Sequence, residues 1–245
     1  MPMESYFEAA TAALQKIRTG QRDNLQKAAG IVADAIAGGK SLFAFGASHS
    51  FMVAEEMVYR TGGLMLVNPI YPHAMNLSVR PVTATSRFER IPGFGRELLL
   101  SSPASAGDVL IIVSTSGRNP VVVDMARAAR ERQMKVIGVT SVEYSSAVSS
   151  RDSSGLKLVD LCDVVLDNAA PAGDAAVEVA GCPQRLGPLS SLTGIALVNA
   201  LTVEVVELCL ARGIEPPVFM SANLDGGDEY NARLLEKYRN RIHYL

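Results

Sequence analysis

Cysteine and histidine are both scarce in this sequence. The three cysteines, Cys162, Cys182 and Cys209, are odd in number and lack ligand spacing, which points away from a disulfide framework and towards a reduced, cytoplasmic setting. The three histidines, His49, His73 and His243, belong to no His/Cys/carboxylate cluster, so no metal centre is expected. An excess of one charge is also missing: 23 Lys and Arg stand against 25 Asp and Glu, with no long basic run. Electrostatics therefore gives no support for nucleic acid or an acidic membrane as partner, and any anionic ligand must be caught locally. The opening MPMESYFEAATAALQKI lacks the basic and apolar regions of a signal peptide. No uninterrupted apolar run approaches membrane-spanning length, and neither internal repeats nor low-complexity tracts occur.

What is present is an apolar chain. With 48% hydrophobic residues among 245, it has enough to bury one large core, and a second independent domain is not expected. Phe7, Ala10, Leu14 and Ile17, then Leu25, Ala28, Val32 and Ile36, follow helical spacing with a break near Thr19-Gly20, giving two helices or one bent helix. Gly38-Gly39 ends them, and Ser41-Leu-Phe-Ala-Phe45 reads as the first strand. Further strands are expected at Leu64–Val67, Val109–Val113, Val136–Val139 and Leu161–Leu166. Residues 52–60 and 189–210 read as helices, and residues 232–240 as a last one. Strands alternating with helices imply a parallel sheet covered on both faces. The expected organisation is an N-terminal helical extension over residues 1–40, an α/β domain over 41–212 and a helical tail over 213–245, all in one structural unit. The stretch from Asn68 to Pro92 is too long for a simple connection.

The segment from Val109 to Thr140 carries the most functional information. Its strand is a continuous apolar run rich in β-branched residues, as expected for burial on both faces. A loop, Ser114-Thr-Ser-Gly-Arg-Asn119, then leads into a helix whose Val121, Val122, Met125, Ala126, Ala129 and Met134 lie on one stripe, with Asp124, Arg127, Arg130 and Glu131 on the other side. Asn119 suits the N-cap and Pro120 the first helical position. A hydroxyl-rich loop at a helix start gathers free N–H groups and the positive end of the helix dipole, a receptor for an anion such as phosphate. A well-capped strand–helix connection would use the same residues.

This loop resembles the Ser-x-Ser-Gly-x-Thr/Ser loop of SIS (sugar isomerase) domains, and the phosphoheptose isomerase branch is similar over about residues 41–167. The resemblance implies a flavodoxin-like α/β/α sandwich with a five-stranded parallel sheet. It also implies phosphate binding by Ser114, Thr115 and Ser116 with the Gly117 amide. Asn119 stands where the family usually has Thr or Ser, and its amide retains the ability to donate.

A second loop, Gly46-Ala-Ser-His-Ser50, follows the first strand. Ligands of open α/β sheets gather at the carboxyl ends of strands near a switch in strand order, so Ser48 and Ser50 are expected to share the phosphate. Aldose–ketose isomerisation needs a base that moves a proton between adjacent carbons. The phosphoheptose branch, similar here in Ser-His followed by Ala-Glu-Glu, implies Glu55 or Glu56 in that role. His49 and His73 are candidate assistants because imidazole titrates near neutrality. The stretch Ser190-Ser-Leu-Thr-Gly-Ile-Ala, continuing through Asn199-Ala-Leu, is similar to N-acetylmuramic acid 6-phosphate etherase. Thr193 is a further candidate contact to sugar hydroxyls, but the helix lacks the histidine that the phosphoheptose branch keeps there.

These features lead to a phosphosugar-binding protein that isomerises a sugar phosphate through an enediol. The alternatives are an etherase-type lyase acting on an amino-sugar phosphate and a non-catalytic phosphosugar sensor. No cofactor is implied, and SIS resemblance implies a homodimer or homotetramer.

Overall fold

The computed structural model describes residues 1–245. Two N-terminal helices, α1 (Pro2–Gly20) and α2 (Arg22–Ala37), are separated only by Gln21, so the break at Thr19-Gly20 produces two helices. Five strands follow in one parallel sheet: β1 (Leu42–Gly46), β2 (Val67–Pro69), β3 (Val109–Val113), β4 (Lys135–Thr140) and β5 (Val164–Asp167). Their order is β2-β1-β3-β4-β5, the flavodoxin-like arrangement. Every residue of β1 and β3 is buried, because helices cover both faces and continuous apolar runs are what such strands require.

On one face α2 and α8 (Ser190–Ala211) pack together, with α3 (His49–Glu56) against α8. The other face holds α5 (Phe94–Leu100) and α6 (Pro120–Glu131). Contact between these two helices is close enough that a Cβ on Gly95 would lie 1.8 Å from the Val121 carbonyl oxygen. The stretch 68–92 contains a single 3-10 turn, His73–Met75, and the short helix α4 (Ala84–Phe88). A six-residue helix, α7 (Val142–Ala147), begins on a Ser141 side-chain cap.

Several elements differ from expectation: β5 begins at Val164, three residues later than the expected Leu161, and the helix expected over 52–60 runs from His49 to Glu56. The second strand starts at Val67, three residues late, because Leu64 and Met65 instead pair with Val218 and Pro217 of the tail. An antiparallel hairpin, β6 (Ala175–Val177) and β7 (Leu186–Pro188), precedes α8. Its strands have three residues each and carry no alternating apolar pattern that would mark them. The last helix, α9 (Gly227–Tyr238), begins five residues before Ala232 and buries Leu234 and Tyr238 in the main core.

Helix α8 is apolar around its circumference, with a mean hydropathy of 1.8 over its most apolar window, and is long enough by length and composition to cross a membrane. Asn199, Thr202, Glu204 and Glu207 interrupt its apolar run. Its buried side, including Leu197, Val198, Leu201, Val205 and Cys209, packs into the protein core.

Candidate functional site

Strands β1 and β3 are neighbours in register, with Gly46 opposite Val113, so their following loops leave the sheet side by side. This is also where the strand order reverses, since β2 lies beyond β1 and β4 beyond β3. The backbone opens a crevice at such a point. A cavity of about 380 Å³ lies there, lined by Ser48, His49 and Ser50 from the first loop and by Ser114, Thr115, Ser116 and Asn119 from the second. The start of α8 adds Ser190 and Ser191, and Tyr144, Asp174 and Glu89 complete the polar wall.

The first loop is tightly built. A Cβ on Gly46 would fall 2.4 Å from the Ser50 carbonyl oxygen, so only glycine allows α3 to begin so soon after the strand. Ser48 has φ 56° and ψ −129°, a backbone conformation that disfavours any residue with a Cβ. Its N–H donates to the Met75 carbonyl at 3.0 Å. A strained, non-glycine residue held over a polar cavity is where functional sites tend to store strain.

The second loop is fixed from behind and open in front. The Ser114 N–H donates to Val139 O at 3.0 Å, and the Thr115 carbonyl accepts from Ser141 N at 2.9 Å and from the Thr140 hydroxyl at 3.1 Å. The N–H groups of Thr115 and Ser116 have no protein acceptor. Both residues line the cavity, so an anion there meets unpaired donors as well as hydroxyls. Gly117 is turned the other way: its N–H donates to Ser114 Oγ at 3.3 Å, and it is buried against Leu158.

Three helices of eight or more residues, α3, α6 and α8, start at this cavity. Their dipoles and free N–H groups add at one point, each offering roughly half a positive charge. The α8 start is partly occupied by protein. Asp174 accepts from Ser190 N at 2.8 Å, Leu189 N at 3.1 Å and the Ser190 hydroxyl at 2.7 Å.

Of the other expected site residues, His49 lines the cavity at the first position of α3. His73 does not. It is exposed in its 3-10 turn, 4.7 Å from the Tyr71 ring. Thr193 is fully buried, its hydroxyl donating to Leu189 O at 3.0 Å within its own helix. Glu55 and Glu56 lie at the far end of α3 and line a separate cavity with Met52, Tyr59 and Ile195. Two helical turns put them about 10 Å along the axis from the loop. Glu56 is engaged there by Arg60 Nε at 2.6 Å and by Asn199 Nδ2 at 3.2 Å.

Asn119 takes the N-cap position of α6 with Pro120 next, but its side chain makes no capping bond. Instead Nδ2 donates to Glu89 Oε2 at 2.7 Å, while Oδ1 accepts from Arg151 Nη1 at 3.0 Å. The Glu89 carbonyl takes over part of the cap by accepting from Val121 N at 3.2 Å. Glu89 is a site residue that sequence reasoning missed. It lies in the long stretch before Pro92, and no local pattern separates it from a solvated carboxylate. Burial pushes its carboxyl above the ordinary range, against the lowering effects of the Asn119 bond and the charges of Arg90 and Arg151.

A profile of the SIS domain matches residues 5–141. A UPF0309 protein of Shouchella clausii is 46% identical over 243 residues, covering 99% of each chain. This chain belongs to the SIS-domain proteins of the UPF0309 family. Among solved structures, a phosphoheptose isomerase from Francisella tularensis is similar with TM-score 0.57 and 15% identity, over 84% of this chain and 96% of that one. The Vibrio vulnificus NanR protein, solved with ManNAc-6P, is similar with TM-score 0.54 and 17% identity, over 95% of this chain and 69% of NanR. At these identities the two structures establish a shared SIS fold. Both loops fall wholly inside the matched residues, whereas Ser190 and the hairpin lie outside them.

Proposed function

We propose that the cavity binds a phosphorylated sugar, with the phosphate on Ser48, Ser50, Ser114, Thr115 and Ser116, and that the protein interconverts aldose and ketose forms of that sugar. The observation that carries the reading is the convergence of three helix starts and the unpaired Thr115 and Ser116 N–H groups on one cavity. Unpaired donors of this kind favour a tetrahedral dianion, for which several convergent donors are available at once. The sugar ring then extends towards Tyr144, Asp174 and the α8 start. ManNAc-6P, bound by NanR, is a rational first probe. Thermal stability measured with sugar phosphates and with the same sugars unphosphorylated tests the reading. Stabilisation by the phosphorylated members alone is expected, and indifference to both would remove it.

A sensor without turnover is the second reading. It is favoured by the position of Glu55 and Glu56, which leaves the α3 carboxylates outside the cavity. Exchange of substrate carbon-bound hydrogen with solvent separates the two, since a sensor binds without exchange.

We also infer a homodimer or homotetramer in the cytoplasm. The outer side of α8 exposes Val203 and Leu210 at 70% and 61%, and such an apolar surface is better covered than wet. Sedimentation of Val203→Glu/Leu210→Glu as a monomer, against an oligomeric parent, is the expected result. A parent that sediments as a monomer would dismiss this inference.

A further inference from the structure

Proton transfer in the cavity needs a carboxylate with an oxygen free to meet substrate. Asp174 is committed to the α8 start through both oxygens, and Glu55 and Glu56 line another cavity. Glu89 is the remaining acidic residue of the wall. Its Oε2 is held by Asn119, its Oε1 takes no hydrogen bond from the protein, and its backbone is tied to the start of α6 through Val121 N. One oxygen is therefore fixed, and the other has no protein partner on a residue that lines the cavity.

We propose that Glu89 is the proton-transfer carboxylate of this site and that Asn119 is its positioning residue. The assignment rests on the phosphosugar reading above. In the forward direction Glu89 Oε1 takes the C2 proton of the open-chain aldose phosphate. The C–H electron pair forms the C1–C2 double bond as the carbonyl pair moves onto O1, which gains a proton. The same carboxyl then delivers its proton to C1 while O2 loses its own and becomes the ketone. No oxidant or external reductant is consumed, because C1 is reduced as C2 is oxidised.

Asn119 links Glu89 to Arg151, and its own position at the end of the phosphate loop couples the base to the bound phosphate. The charged and titratable groups around Glu89 are Arg90 on its own segment, Arg151 beyond α7, Arg118 beside Asn119, and the cavity residues His49, Tyr144 and Asp174. Burial raises the Glu89 pKa, and the Asn119 donor lowers it in part. Removing that donor moves the basic form to higher pH.

The test uses the full-length chain in D2O, with ManNAc-6P, glucose 6-phosphate and sedoheptulose 7-phosphate as probes and NMR detection of hydrogen exchange beside the carbonyl. The parent exchanges a probe that stabilises it thermally. Glu89→Gln retains that stabilisation and loses exchange by a factor on the order of 10²–10⁴. Glu89→Asp, which keeps the charge but withdraws it by one methylene, gives an intermediate rate and serves if the glutamine variant does not fold. Asn119→Thr binds the probe and shifts the rising limb of the pH–rate profile upward. Exchange by Glu89→Gln at the parent rate overturns the proposal, as does a parent that binds a probe without exchanging it. An unshifted profile in Asn119→Thr removes the positioning role. Failure of every probe and of inorganic phosphate to stabilise the parent defeats the phosphosugar reading itself, and this assignment with it.

Discussion

The two ends of α3 differ in what they offer a ligand. At its N-terminus the chain has a strained Ser48, a histidine and a neighbouring loop with unpaired N–H groups. At its C-terminus Glu55 and Glu56 face a separate cavity of about 610 Å³ with Tyr59 and Arg60. Closeness in sequence gave the second pair its appeal, yet two turns of helix separate it from the loop. Glu89, far off in sequence, is brought to the same wall by the packing of α5 and α6. The comparison teaches that a helix of only eight residues can divide an anion cradle from the carboxylates written next to it.

The strongest way to break this contrast is to put a negative charge among the donors proposed to hold phosphate. Ser116→Glu should weaken sugar-phosphate affinity by about a hundredfold or more, since repulsion replaces charge-assisted donors worth roughly 3 kcal/mol together. Calorimetric titration measures it, and unchanged affinity would move the phosphate elsewhere. Next in size is Gly46→Ala, whose added Cβ meets the Ser50 carbonyl at 2.4 Å. Relief of that overlap must shift the turn, so a loss of about 1–3 kcal/mol in stability is expected from denaturant unfolding.

A pH experiment sharpens the role of the half-buried Glu89 carboxylate. Glu89 has a raised folded-state pKa, caused mainly by burial. An acid of this kind binds more protons folded than unfolded, so it removes stability as pH rises from the ordinary carboxylate value through the folded value. The stability of Glu89→Gln relative to the parent should therefore increase across that window and then level off. A difference that stays constant with pH would deny the shift. The smallest effect is expected at the other end of α3: Glu56→Gln breaks an ion pair with the largely exposed Arg60. It should cost about 0.5 kcal/mol or less and leave sugar-phosphate affinity unaltered. A large loss of binding would restore Glu56 to the site.

Much of the framework is legible in the residues. Val109–Val113 and Val136–Val139 announce buried strands because apolar runs rich in β-branched residues suit a pleat covered on both sides, and Asn119-Pro120 announces the start of α6. The β6–β7 hairpin was not legible because its strands are short and depend on the α1 side chain of Tyr6, whose hydroxyl reaches Pro188 O at 3.3 Å. The delayed start of β2 was equally hidden, since Leu64 and Met65 take their partners from the tail.

The same division runs through the site. Local composition by itself determined the features that make an anion expected here: hydroxyls and glycine after a strand, a proline-started helix beyond them, and N–H groups that no earlier turn can satisfy. Only the tertiary structure decided what stands opposite that receptor. The Asn119 side chain could have capped its helix or met a ligand, and packing turned it to Glu89, 30 residues away. Backbone hydrogen-bonding capacity is a local property of the chain, whereas the burial and the partner of a carboxylate are set by elements that meet only on folding.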